Sequence, residues 1–409
     1  MTADIKQALQ LIYKHTHALA TEILPLELAL NRIISQDIIG VHNLPPFDNS
    51  AMDGYGVRCA DATKTVQISH TIFAGDKDDT QLQPGFACKI MTGAKIPIGC
   101  EAVVPFEDAE FKDNAVTLPA NIAPAKHIRR KAEDIKAGDI LIHKGTLINA
   151  YQITLLASQG LTHVSVYNRP HVGVFASGNE LKMHFQTLQK NQIYNTNTPT
   201  LIARMQELGC DVTYIRTAID SLAEIQETIK NALKFDLIIT SGGASGGEAD
   251  FTKEAFSHFD MEVFFDKLDI KPGKPTIFGK INNTVILNLP GNPLAASLNC
   301  ELFGRAIVSA LSGREDKYIQ TIDTNIPDDI TLNTKRATVL PGYFNGRSFL
   351  ISKEHSAGMI KPLSISNGFI IVDKGVKKLS ANQKVKFIPI TYNFTTKSQS
   401  DIITTGEKI

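Results

Sequence analysis

The chain has no net charge, with 42 Lys plus Arg against 42 Asp plus Glu in 409 residues. A broad nucleic-acid or anionic-membrane surface needs clustered excess cation, so the balance argues against both partners. A small anion pocket stays compatible with it. Cysteine is scarce: Cys59, Cys88, Cys100, Cys210 and Cys300 are odd in number, widely spaced and never form Cys-x-x-Cys. That excludes a disulfide framework and a thiolate zinc site, and it fits reduced thiols in a cytoplasmic protein. The eleven histidines show no ligand-like spacing. No apolar run approaches the roughly 20 residues of a membrane helix. Met1 to Ala20 lack the basic-then-apolar order of a signal peptide. Neither G-x-G-x-x-G nor G-x-x-x-x-G-K-S/T occurs, which disfavours a dinucleotide fold and a P-loop. No repeat of fixed period is present.

What is there is an ordinary globular mixture, 43% hydrophobic and 21% charged, long enough for two to four domains at roughly 100–200 residues each. Ile5, Ala8, Leu9 and Ile12 recur at helical spacing behind Asp4 as N-cap, and a second short helix is expected near Leu26 to Ile33. Leu44-Pro45-Pro46 breaks any helix. From there short β-branched segments, Thr65 to Phe73 and Ala102 to Pro105 among them, alternate with Gly, Pro and Asp turns and predict a small β domain. Ala150 to Ser158 predicts a helix.

Between about 170 and 312 strands alternate with helices. The strands are 171–176, 212–216, 236–240 and 284–289. The helices are capped by Thr198 with Pro199 at its first position, by a Ser221-Leu-Ala-Glu224 capping box, and by Asn292 with Pro293. This predicts a mostly parallel sheet covered by helices on both faces. Strand texture returns at 337–340, 349–352, 368–372 and 384–390. The fold class is therefore multidomain, α/β and β. Its expected parts are a helical linker domain (1–45 plus 142–168), an inserted β domain (46–141) and a central α/β domain (169–317). A β-barrel-like end (318–395) and a frayed tail (396–409) follow.

Three strands of the central segment end in close-turning loops: Ser177-Gly178-Asn179-Glu180, Ser241-Gly242-Gly243-Ala244-Ser245-Gly246-Gly247-Glu248-Ala249-Asp250, and Leu289-Pro290-Gly291-Asn292-Pro293. Each is either a tight strand-to-helix turn or part of an anion cradle, and three on the carboxyl edge of one sheet favour the cradle. Lys271-Pro272-Gly273-Lys274-Pro275 reads as a rigid cationic clamp on phosphate or as a solvated turn. Asp48 to Gly56 reads as a hard-cation or polar-ligand loop, or as a capped turn. Arg129-Arg130-Lys131-x-Glu133-Asp134, with charges of both signs, reads on composition as a surface loop. Glu180, Asp220, Glu248 and Asp250 fall at or near strand ends, which suits Mg2+ bridging to substrate phosphate oxygens.

Taken together, 45–58 (PPFDNSAMDGYGVR), 91–94, 129–135, 241–253 (SGGASGGEADFTK), 271–275 and 289–296 (LPGNPLAA) resemble the molybdopterin molybdenumtransferase family in order and spacing over almost the whole chain. The resemblance implies the last step of molybdenum cofactor synthesis: adenylylated molybdopterin and molybdate give the cofactor and AMP, with Mg2+. It implies an elongated homodimer whose cleft lies between the α/β domain of one subunit and the β domain of the other. It assigns catalytic roles to Asp53, Thr92, Lys271 and Lys274, the first two facing the substrate from the partner subunit. Substrate contacts fall to Glu180, Ser241, Gly242, Gly243, Ser245, Pro290, Pro293 and Arg129 or Arg130. Metal ligation falls to Glu180, Asp220 and Asp250. Further partners it implies are molybdopterin adenylyltransferase and apo-molybdoenzymes. The chain departs from the family pattern at Asn179, where an Asp is usual, and in the small Ala244-Ser245-Gly246-Gly247 run. Tyr194-Asn195-Thr196-Asn197 stands for the usual Tyr-Asn-Ser-Asn. Two rival readings are the related adenylyltransferase, normally a single α/β domain, and a non-catalytic molybdopterin carrier or scaffold.

Overall fold

The computed structural model describes residues 1–77, 80–218, 221–242 and 251–391. Three six-stranded sheets organise them. The central sheet runs in the order Asp211–Ala218, His171–Ser177, Leu237–Ser241, Thr284–Leu289, Ile277–Ile281, Glu262–Phe265. The first four strands are parallel, as predicted. The last two are antiparallel and were not predicted. Gly279 interrupts the apolar run of Ile277–Ile281, and the turn at Asn282 (φ +53°) folds that strand back on Thr284–Leu289.

Leu237–Ser241 and Thr284–Leu289 are buried at every residue, because helices cover both faces. On one face Phe175, Ile238 and Ile286 pack against Ile225 and Ile229 of helix Leu222–Ala232 and Phe256 of helix Phe251–Ser257. On the other, Val174 and Leu287 join Leu201 and Met205 of helix Asn197–Glu207 and Phe303. The N-terminal helix Ile5–His15 docks on this second face. Asp4 and Gln7 form its capping box, and Ala8 and Ile12 are fully buried. Burying a side chain of Ile12's size contributes about 1.5–3 kcal/mol.

Pro293–Leu311 is a continuous 19-residue helix with a π segment at Cys300–Gly304. Contrary to the sequence expectation, it is long and apolar enough to cross a membrane, but its most apolar window is 83% buried inside the molecule. Glu301 and Arg305 hide it from a search for uncharged runs, and packing against the sheet accounts for its apolar character.

Other local expectations are corrected. Leu26–Leu28 is only a 3₁₀ turn. The chain there turns its backbone sideways, Leu26 N–H to Thr162 O and Ile34 N–H to Thr146 O, so no second helix forms. Helix Asn197–Glu207 starts before Thr198, whose N–H is capped by Asn195 Oδ1 at 3.1 Å. Ser221 accepts from Glu224 N–H, but the Glu224 carboxylate pairs with Arg216 at 3.1 Å instead of closing the box. Asn292 holds the N-cap position without a side-chain cap bond.

The inserted sheet runs Ala102–Pro105, Gly54–Val57, Phe86–Ile90, Thr65–Ile72, Ala115–Thr117, Glu110–Lys112. The C-terminal sheet runs Ile270–Lys271, Ala337–Phe344, Gly368–Val372, Lys384–Pro389, Ile322–Asn325, with Phe349–Ile351 also on Ala337–Phe344. A bridge from Asn325 to Ser348 brings its far edge back beside that hairpin, giving the barrel-like curl. Its first strand comes from the α/β segment: Ile270 and Lys271 pair in parallel with Ala337 and Thr338.

Candidate active site

The parallel register places Ser177, Ala218, Ser241 and Leu289 side by side at the carboxyl edge of the central sheet. The three loops leaving that edge touch. Gly242 N–H donates to Leu289 O at 3.2 Å. Gly242 stands at φ +97°, and a Cβ there would lie 2.6 Å from Ser177 O. Asn197 Nδ2 donates to Ser241 Oγ at 3.2 Å and to Gly291 O at 2.8 Å, so one buried amide ties two of the loops. Ser177 Oγ, buried at this edge, has no hydrogen-bond partner among the described residues. Glu180 is exposed, and its Oε2 folds back to 3.1 Å from where a Gly178 Cβ would stand. Gly243, Ser245, Asp220 and Asp250 lie outside the described residues.

Beside this edge a cleft of about 880 Å³ opens between the α/β segment and the C-terminal sheet. Lys271, Lys274, Pro290 and Asn292 line one side, and Thr334, Arg336, Ser352, Lys353 and His355 line the other. The two exposed lysines have no carboxylate partner among the described residues, so their charge is free for an anion. Arg336 lies 3.7 Å from Asp269, a loose exposed pair. Leu294 N–H to Ala357 O, 3.0 Å, pins the two sides together at the mouth. Arg336, Lys353 and His355 escaped the sequence reading, because only the barrel's curl brings them opposite the lysine turn. Pro293 faces a neighbouring 370 Å³ pocket with Asn197, Arg204 and Met359.

A second cluster forms in the inserted sheet. Thr92 donates its N–H (2.7 Å) and its hydroxyl (2.8 Å) to Asp53 Oδ1. These bonds, the N–H first, hold the Asp53 carboxyl below the usual carboxylate range. Strand Asn49–Ser50 pairs with Ile128–Arg129. Asp48 takes Lys131 N–H at 2.8 Å and Arg130 Nη1 at 2.6 Å, and the Lys131 bond leads in keeping its pKa low. Arg130 is thus engaged, whereas Arg129 is exposed with no ion pair among the described residues. The proline-led loop and the Arg129–Asp134 stretch, read separately in the sequence, form one structure. Among the described residues lining the large cleft, none comes from this cluster.

Fold and site thus define a multidomain protein with a glycine-lined edge of touching strand-end loops, a cationic cleft beside it, and a separate aspartate–threonine pair on an inserted β sheet. Family models match in sequence order: the MoeA N-terminal region (domain I and II) over residues 3–160, a probable molybdopterin binding domain over 173–310, and the MoeA C-terminal region (domain IV) over 325–390. A molybdopterin molybdenumtransferase of Haemophilus influenzae is 34% identical over 91% of this chain and 94% of its own length. One of Staphylococcus aureus is 30% identical over 89% and 92%. The solved structure of a molybdopterin biosynthesis MoeA protein from Pyrococcus horikoshii aligns over 96% of this chain and 100% of its own, with a TM-score of 0.82 at 27% identity. The chain belongs to the molybdopterin molybdenumtransferase family.

Proposed function

We propose that this protein transfers molybdenum from molybdate into adenylylated molybdopterin and releases AMP, the final step of molybdenum cofactor synthesis. The observation that carries this reading is the cleft where Lys271 and Lys274, unpaired among the described residues, face Arg336 and Lys353 next to three touching strand-end loops. Molybdate is a dianion and the phosphoanhydride is polyanionic, so both need concentrated positive charge to meet. The strand-end loops cradle the phosphates, and the lysines hold the oxyanion and stabilise charge on the departing AMP. Pro290 shapes the wall.

Mg2+ belongs to the same reading. Among the described residues Glu180 turns its carboxylate back over Gly178 at this edge, and hard oxygens of that kind suit a small hard cation. Glu180, with Asp220 and Asp250, would hold it, and it would neutralise phosphoanhydride charge.

Asp53, Thr92 and Arg129 line none of the cleft in their own chain, which supports a homodimer whose partner supplies them. None of the five cysteines is in a disulfide, which supports a reducing, cytoplasmic setting.

The test is purified protein given adenylylated molybdopterin, Mg2+ and molybdate. Stoichiometric AMP release is expected. Tight binding with no AMP above the protein-free control would sink the enzyme reading and leave a carrier. Mixing inactive Asp53→Ala and Lys274→Ala proteins should restore part of the activity through hybrid dimers. No recovery after subunit exchange would refute the shared site.

A further inference from the structure

The lysine turn is braced from behind by residues that have no role in the reading above. Asn299 ends the first α-helical stretch after Asn292-Pro293, and it is fully buried. Its Nδ2 donates to Gly273 O at 2.9 Å and to Thr276 Oγ1 at 2.7 Å. Thr276, also fully buried, donates its hydroxyl to the same Gly273 carbonyl at 2.9 Å. Gly273 stands at φ +103°, and a Cβ there would lie 2.3 Å from Asn299 Nδ2 and 2.7 Å from both Cγ and Oδ1. All three atoms of the amide therefore stand against the glycine. Only a residue without a side chain can sit there, between the two lysines and next to Lys274.

Asn299 Oδ1 is buried with no hydrogen-bond partner among the described residues. A buried orphan acceptor is unfavourable. A leucine would fill the same volume without it. The amide is therefore explained by what its nitrogen does, which is to fix the Gly273 carbonyl. The helix carrying Asn299 begins at the Pro290-Gly291-Asn292 loop, so one rigid element links the strand-end edge to the lysine turn.

We infer that Asn299, acting with Thr276, is a positioning residue that sets where Lys271 and Lys274 present their ammonium groups to the oxyanion. This rests on the reading of those lysines as oxyanion-binding groups. Without the brace the turn samples other conformations, and the two cations no longer converge on one small dianion. The nucleotide half of the substrate, held by other loops, is unaffected.

The test compares Thr276→Val, Thr276→Ser, Asn299→Asp and Lys274→Ala in AMP release, with molybdate and adenylylated molybdopterin varied separately. Thr276→Val keeps the shape and removes the hydroxyl. Asn299→Asp keeps the shape and removes the donor. Each should raise KM for molybdate about tenfold, the equivalent of one lost hydrogen bond to a positioned group, and leave KM for adenylylated molybdopterin within about twofold. Saturating molybdate should recover only part of kcat, the remainder reporting the lysines' help to the departing AMP, and Thr276→Ser should behave as the parent. If Asn299→Asp does not fold, the Thr276 pair decides alone. A parental molybdate KM in Thr276→Val overturns the inference, as does an equal loss for both substrates that Thr276→Ser shares. A parental molybdate KM in Lys274→Ala instead overturns the underlying reading of the lysine turn, so the two failures are told apart.

Discussion

Replacing Gly242 by alanine tests whether the strand-end loops must touch. Its φ of +97° is strained for any residue with a Cβ, at about 1–2 kcal/mol. The new methyl group would also sit 2.6 Å from Ser177 O, well inside contact distance. That oxygen cannot simply swing away. It belongs to strand His171–Ser177, paired through Ser177 to Ala218 on one side and through Ala176 to Ser241 on the other. Relieving the overlap means moving backbone, and overpacking of this kind costs about 1–3 kcal/mol. The sum is about 2–5 kcal/mol, or a Tm lower by about 5–15 °C for a cooperative unit of 150 residues or so. The same shift carries the loop we propose to cradle phosphate, and a misplacement near 1 Å costs about a hundredfold in rate. Turnover should therefore fall by about 10–100-fold at saturating substrates. Differential scanning calorimetry and AMP release measure the two effects. A Tm within about 2 °C of the parent together with parental turnover would refute the claimed contact, since even 1 kcal/mol should show.

Thr92→Val removes the hydroxyl donated to Asp53 and keeps the backbone N–H. The Asp53 pKa should rise toward the ordinary carboxylate value, so the acidic limb of kcat/KM for AMP release moves to higher pH; an unmoved limb would show that Asp53 ionisation does not govern activity. Glu301→Ala removes the carboxylate that takes Arg204 Nε at 2.7 Å and Nη2 at 3.0 Å in a buried pair linking helix Asn197–Glu207 to the long helix. Arg204 keeps Glu207 at 2.9 Å, so losing the two charged hydrogen bonds should cost about 1.5–3 kcal/mol, to be read from urea unfolding, and a loss below about 0.5 kcal/mol would contradict it. Asp266 is held down to about 2 by Lys253 Nζ at 2.7 Å and then by the N-terminal ammonium, also at 2.7 Å. A depressed folded pKa stabilises above the unfolded value near 4, and the stabilisation is lost as pH falls toward 2. Asp266→Asn should therefore lower Tm at pH 7 and match the parent near pH 2; a constant gap across that range would rule out the linkage.

Much of the fold was legible because its signals are local. The four parallel strands and the helices among them followed from apolar runs, capping residues and glycine punctuation over 171–312, and Asp4 announced the first helix correctly. Errors arose where backbone groups found distant partners. The segment after Leu26 has helical spacing, but its N–H groups bond to Thr162 and to Thr146. Glu224 has the right spacing for a capping box, but Arg216 outcompetes the cap for its carboxylate. The antiparallel edge was missed because pairing, not composition, makes Ile277–Ile281 and Glu262–Phe265 strands.

The sequence by itself determined the chemistry: which glycine turns, lysines and carboxylates exist, and that an Asp and a Thr stand ready on an inserted β segment. Residue type and near-neighbour spacing are enough for that. Tertiary structure alone decided who meets whom. It set the lysine turn into the C-terminal sheet through Ile270–Lys271, placed Arg336 and Lys353 across from it, and kept Asp53 and Thr92 out of the same cleft. Those encounters span tens of residues along the chain, and only the packing of whole sheets brings such distant groups onto the walls of one cleft.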